Sequence, residues 1–114
     1  MRLRAFFLIL VALGLCGCRA HMIHVTLLNN SSQPISTIVV DYPGATFGVN
    51  DLAPGQTFGY TIKPLDTGAI KVQFADAQGK NHTSTLDTVH KGDEGSLEVR
   101  FSQDNATSQF TPRQ

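Results

Sequence analysis

The chain has 114 residues, room for one domain once any targeting segment is removed, and 41% hydrophobic with 16% charged residues make it globular rather than disordered. Nine basic and nine acidic residues cancel over the whole chain, and without the start that holds Arg2 and Arg4 the balance becomes seven against nine. Such a faintly acidic body has no field for gathering nucleic acid or anionic lipid, which excludes a polyanion-binding role.

Met1-Arg2-Leu3-Arg4 is a short positive head, and Ala5 to Leu15 follow as an apolar run broken only by Gly14. Those 11 residues, at about 1.5 Å each, fall well short of a hydrocarbon core about 30 Å thick. A positive head, an apolar run of this length and then small residues describe a cleaved secretory signal.

The next residues, Leu15-Cys16-Gly17-Cys18, resemble the lipobox of bacterial lipoproteins: an aliphatic residue, a tolerant position, a small residue and the modified cysteine. In that family the cysteine thiol is alkylated by a diacylglyceryl group and the chain is cut just before it. The resemblance implies a signal peptide over residues 1–17, lipidation at Cys18, and a short tether over residues 18–22. Cys16 stands where Ala or Ser is commoner, and it is the poorer acceptor because bulky Leu15 precedes it. One acyl chain anchors only marginally at about 0.8 kcal/mol per buried methylene, whereas the two or three that the family carries are effectively permanent. Arg19 rather than Asp follows the cysteine, which by the same resemblance favours the outer membrane over the inner one. An alternative cut after Ala20, of the small-x-Ala kind, would leave a soluble chain starting at His21.

From Ile23 the pattern is period two, interrupted by turn chemistry. Ile23, Val25 and Leu27 alternate with His24, Thr26 and Leu28, and Asn29 to Pro34 is a polar break. Ile38, Val40 and Tyr42 alternate next, before a Pro43-Gly44 turn, a short piece around Phe47, and a turn at Pro54-Gly55. Phe58, Tyr60 and Ile62 form one apolar face, and Ile70, Val72 and Phe74 form another. Asp76 to Gly79 reads as a hairpin loop. A more polar strand runs from His82 to Val89, Lys91 to Gly95 turns the chain, and Leu97, Val99 and Phe101 complete the ladder. Residues 103–114 lose the alternation and read as a loose polar tail.

Six or seven short strands, each apolar on one face, call for two sheets packed face to face over residues 23–102: an all-β, single antiparallel β-sandwich of immunoglobulin-like size. Leu28 to Ile35, Leu52 to Gln56 and the Phe74–Gly79 hairpin look like small sandwich domains of bacterial envelope proteins. The body from Arg19 onward has no cysteine, so neither a disulfide nor a thiolate metal site supports it.

Chemistry has few candidates. His21, His24, His82 and His90 are the histidines, and His24 falls on the outward face of its strand. If the chain began at His21, the free amine and imidazole would offer copper a nitrogen-rich site, with His24 and His90 as further donors. That alternative resembles small periplasmic copper-binding sandwich proteins, which carry an Asp-x-His pair near the last strands. Asp87-Thr88-Val89-His90 has one residue more, which in a regular strand sends Asp87 and His90 to opposite faces unless a bulge intervenes. There is no Gly-x-Ser-x-Gly elbow, no His-Glu-x-x-His and no phosphate-cradling loop. The sequence therefore reads as a non-enzymatic envelope lipoprotein without a cofactor, held to the membrane through Cys18, with an envelope protein as partner. The polar strand from His82 to Val89 is the edge expected to dock that partner.

Overall fold

The computed structural model describes residues 21–113; the signal peptide and the acceptor Cys18 lie outside them. Among the described residues there are eight strands: β1 (Ile23–Asn29), β2 (Ile35–Tyr42), β3 (Ala45–Leu52), β4 (Thr57–Ile62), β5 (Gly68–Ala75), β6 (Asn81–Val89), β7 (Gly95–Phe101) and β8 (Ala106–Pro112). They form the expected sandwich from two four-stranded sheets, ordered β4-β1-β7-β8 and β3-β2-β5-β6. Every pairing is antiparallel except β1 with β7, which run parallel with Ile23 opposite Gly95 and Asn29 opposite Phe101.

The core follows from the period-two pattern. Burial alternates strictly along β1, with Ile23, Val25 and Leu27 inside and His24 and Thr26 outside. Ile70, Val72 and Phe74 of β5 and Leu97, Val99 and Phe101 of β7 repeat it. These side chains come from the inner strands of both sheets, so each is covered on every side, and each contributes about 1.5–3 kcal/mol through burial. Phe74 and Phe101 join the two sheets directly, their rings edge to face with centroids 5.1 Å apart.

Two strands break the alternation by one residue. Ser36 faces Ala75 and Val39 faces Gln73, so β2 carries an extra residue against β5, and both Ile35 and Ile38 point inward. Thr37 takes up the irregularity with φ of 51°, a conformation that β-branched residues rarely adopt. In β6, Thr85 faces Lys71 and Thr88 faces Ala69, which brings both Leu86 and Val89 inside.

Residues 103–114 are not a loose tail throughout, because Ala106–Pro112 pairs with the whole of β7, from Phe101 opposite Ala106 to Gly95 opposite Pro112. The strand was illegible because it lies at a sheet edge: only Ala106 is buried, so no apolar alternation marks it. Its end crosses directly over Gly95, where a Cβ would fall 2.2 Å from the Thr111 carbonyl oxygen. The short piece around Phe47 is likewise a full strand, β3, with Gly48, Asn50 and Asp51 on an edge that needs only one buried face. These additions raise the expected six or seven strands to eight and carry the domain past residue 102.

The polar break after β1 contains the one buried polar side chain among the described residues, Asn29. Its Nδ2 donates to the carbonyls of Gln33 and Leu52 at 2.8 and 2.9 Å. Its Oδ1 accepts from the Ser31 amide at 3.0 Å and the Ser31 hydroxyl at 2.6 Å. Its backbone amide donates to Gln56 and its carbonyl accepts from Gly55, so one residue ties the β1–β2 loop to the β3–β4 turn.

Candidate functional site

The histidines disperse. His21 Nδ1 lies 2.7 Å from Glu94 Oε1, His24 Nδ1 lies 3.1 Å from Thr61 Oγ1, and His90 Nδ1 lies 3.4 Å from Asp93 Oδ2. Each sits at the surface with its own neighbour, and among the described residues no three His, Cys, Asp or Glu side chains come together as a metal site. The bulge that could have realigned Asp87 with His90 is present in β6. It serves another purpose: the Asp87 amide donates to Ser108 Oγ at 3.0 Å, while the His90 amide and ring both face Asp93.

His82 has the most enclosed position of the four. Its Nε2 lies 2.8 Å from Asp76 Oδ2, both side chains being only about one-seventh exposed, at 13% and 15%. Asp76 also builds the β5–β6 loop, accepting the amides of Gln78 and Lys80 on Oδ1, each at 2.9 Å. Gly79, with φ of 80°, completes the turn as a side chain could not without strain. Ser102 lines the same open hollow as Asp76, Lys80 and His82. Its hydroxyl, however, donates within its own turn to Asn105.

The His82 hydrogen bond, followed by that from the Lys80 amide, holds the Asp76 carboxyl below its ordinary range, against a smaller opposing effect of desolvation. A carboxyl whose pKa is lowered by folding stabilises the fold above its unfolded pKa, and that contribution is lost as pH falls through the folded value. The stability advantage of the native chain over Asp76→Asn should therefore be complete near neutrality and shrink as pH drops below about 4. Urea midpoints of the two proteins across that range test this; a gap independent of pH would mean the carboxylate charge contributes nothing.

The strand expected to dock a partner is already guarded. β6 is an edge in its own sheet, but β8 of the opposite sheet lies along it. Ser84 Oγ accepts from the Ala106 amide at 2.9 Å, and Ser108 Oγ accepts from the Asp87 amide. The docking edge read from the sequence is thus bridged at two points by the strand that the sequence concealed.

The other seam, between β3 and β4, is aromatic. Tyr60 of β4 stacks on Phe47 of β3 with ring centroids 4.1 Å apart, and Tyr42 tilts against Phe47 at 6.3 Å. The Tyr42 phenol is pushed up, first by burial and then by Tyr60. Phe58 and Tyr60 stand opposite the buried Leu27 and Val25, on the inward face as their alternation implies. They are nonetheless 37% and 42% exposed, because β4 is the outermost strand and its inward face overhangs the core. Periodicity could not separate this overhang from true burial. The signal available was the lack of any charge or proline from Thr57 to Ile62.

No protein-family model matches the sequence, and no curated protein is significantly similar to it. In fold the domain is similar to the NMR structure of a protein from Eubacterium rectale, with a TM-score of 0.58 over 82% of this chain and 92% of that one. The two share 11% of their residues, so the likeness is one of fold.

Proposed function

We propose that this chain is a lipid-anchored cell-envelope protein, non-enzymatic, whose sandwich serves as an interaction module on a short tether. The observation that carries the reading is the lipobox Leu15-Cys16-Gly17-Cys18 behind a positive head and an apolar run. The described domain fits such a tether. β1 begins at Ile23, five positions after Cys18, and at about 3.3 Å per extended residue the domain would stand less than about 20 Å from its anchor. The end nearest the membrane would then hold Met22, the β6–β7 turn and the last residues of β8. The β3–β4 seam offers exposed aromatic surface for a partner, of the kind enriched in protein interfaces.

Replacing the acceptor separates this reading from its rival. Cys18→Ser should move the protein from the membrane pellet to the soluble or unprocessed fraction, and wild type should partition into detergent. Equal distribution of wild type and variant between the fractions would defeat the tether.

A further inference from the structure

The sandwich has four edge strands, and they are not equally defended. β6 and β8 guard each other, and β8 ends at Pro112, which cannot donate a ladder hydrogen bond. β3 carries Asp51. β4 has no such device: Thr57-Phe58-Gly59-Tyr60-Thr61-Ile62 holds no charge and no proline. Its register with β1 runs unbroken from Thr57 opposite Leu28 to Ile62 opposite Ile23. In an antiparallel ladder alternate residues turn their N–H and C=O groups away from the neighbour, and here those groups form an open row at the rim. An unbroken, uncharged, aromatic edge is a template for strand addition, which folded proteins ordinarily suppress.

We propose that the strand added to β4 is β4 of a second copy of this chain, paired antiparallel about a two-fold axis through Gly59. The inference deepens the interaction reading above, and rests on it, by naming the partner. The argument is self-complementarity. Thr57 to Thr61 reads nearly the same in both directions, hydroxyl-aromatic-glycine-aromatic-hydroxyl. Pairing about Gly59 sets Thr57 opposite Thr61 of the second copy and Phe58 opposite its Tyr60, with the two glycines face to face. Thr–Thr and aromatic–aromatic pairs are among the favourable cross-strand combinations. Charge agrees: Lys63, the first charged residue beyond the strand, would stand opposite Gly55, so no like charges meet across the axis. The exposed rings of Phe58 and Tyr60 would gain cover. The contact is isologous, so it consumes both copies' β4 edges and closes as a dimer instead of propagating. Copies tethered in one membrane would meet at raised effective concentration.

The test uses the mature protein purified in mild detergent, its mass followed by sedimentation across a concentration series. Wild type should reach a dimer. Gly59→Lys sets two like charges directly opposite each other and should weaken the dimer on the order of tenfold or more. A Cβ at Gly59 meets open space, so at concentrations where wild type is monomeric the variant should keep the wild-type urea midpoint. Mixing Gly59→Lys with Gly59→Glu should restore a heterodimer. A wild type that stays monomeric, or a dimer indifferent to Gly59→Lys, overturns the proposal. A monomer that crosslinks through β4 to a different envelope protein removes the second copy and leaves the interaction reading intact. A β4 dimer formed by unacylated chain upholds the pairing and removes the tether alone.

Discussion

Asn29→Ala is expected to remove about 3 kcal/mol or more of folding stability, a large share of the roughly 5–15 kcal/mol a domain of this size has. The side chain is fully buried and all its hydrogen-bonding capacity is used: two donated bonds to Gln33 and Leu52, and two accepted from Ser31. Removing it leaves the enclosed Leu52 carbonyl without this donor, and an unsatisfied buried group costs about 1–3 kcal/mol by itself. The loop it organises also holds the β3–β4 turn through Gly55 and Gln56. Asn29→Asp sharpens the test because it keeps the shape. It loses both donors and sets a carboxylate against two carbonyls, so at neutral pH it should be at least as damaging as alanine. Protonation at low pH should relieve part of that loss. Urea denaturation of the three proteins at two pH values measures both effects. An Asn29→Asp protein as stable as wild type would show that volume, and not hydrogen bonding, is what the site requires.

Phe101→Ala should cost about 3–5 kcal/mol, through lost burial and through the cavity left behind. Phe101 is fully buried on β7, between β1 and β8, and its ring meets Phe74 of the opposite sheet edge to face. Neither sheet can close the gap without shifting its neighbours, since close-packed interiors relax only partly. Phe101→Leu keeps most of the volume and should lose less than half as much. If the denaturation midpoint falls by equal amounts for both, ring stacking across the sheets matters more than filled space. A double variant with Phe74→Ala should fall short of the sum of the single losses, because the two rings share a contact.

How far the sequence discloses this fold depends on where a strand sits. Ile23, Val25 and Leu27, with their counterparts on β5 and β7, declare themselves because inner strands must bury one whole face. The turns at Pro43-Gly44, Pro54-Gly55, Asp76–Gly79 and Lys91–Gly95 were equally plain, since each needs residues that reverse the chain. Edge strands obey weaker constraints. β8 shows one buried residue, and β4 shows the right alternation while leaving Phe58 and Tyr60 exposed. Asn29 reads as the first residue of a polar loop, and nothing local distinguishes it from Asn30. Its burial is fixed by Leu52, Gln56 and Phe101, all brought in from distant positions. The same holds for the seams: Ser84 and Ser108 acquire their roles only once β6 and β8 lie side by side. The histidines are less legible for a related reason. His21, His24 and His90 are close candidates in composition, but the fold gives each a separate carboxylate or hydroxyl neighbour: Glu94 for His21, the cross-strand Thr61 for His24, and Asp93 of its own turn for His90.

The central claim is the tether, and an intact mass of the mature protein tests it most directly. Protein should be recovered separately from the membrane and soluble fractions of a native or related host. A membrane species that starts at Cys18 and carries the added mass of a diacylglyceryl group, with or without a further acyl chain, is the predicted result. A soluble species that starts at His21 without acyl mass would contradict it, and a copper titration of that species would be the next experiment.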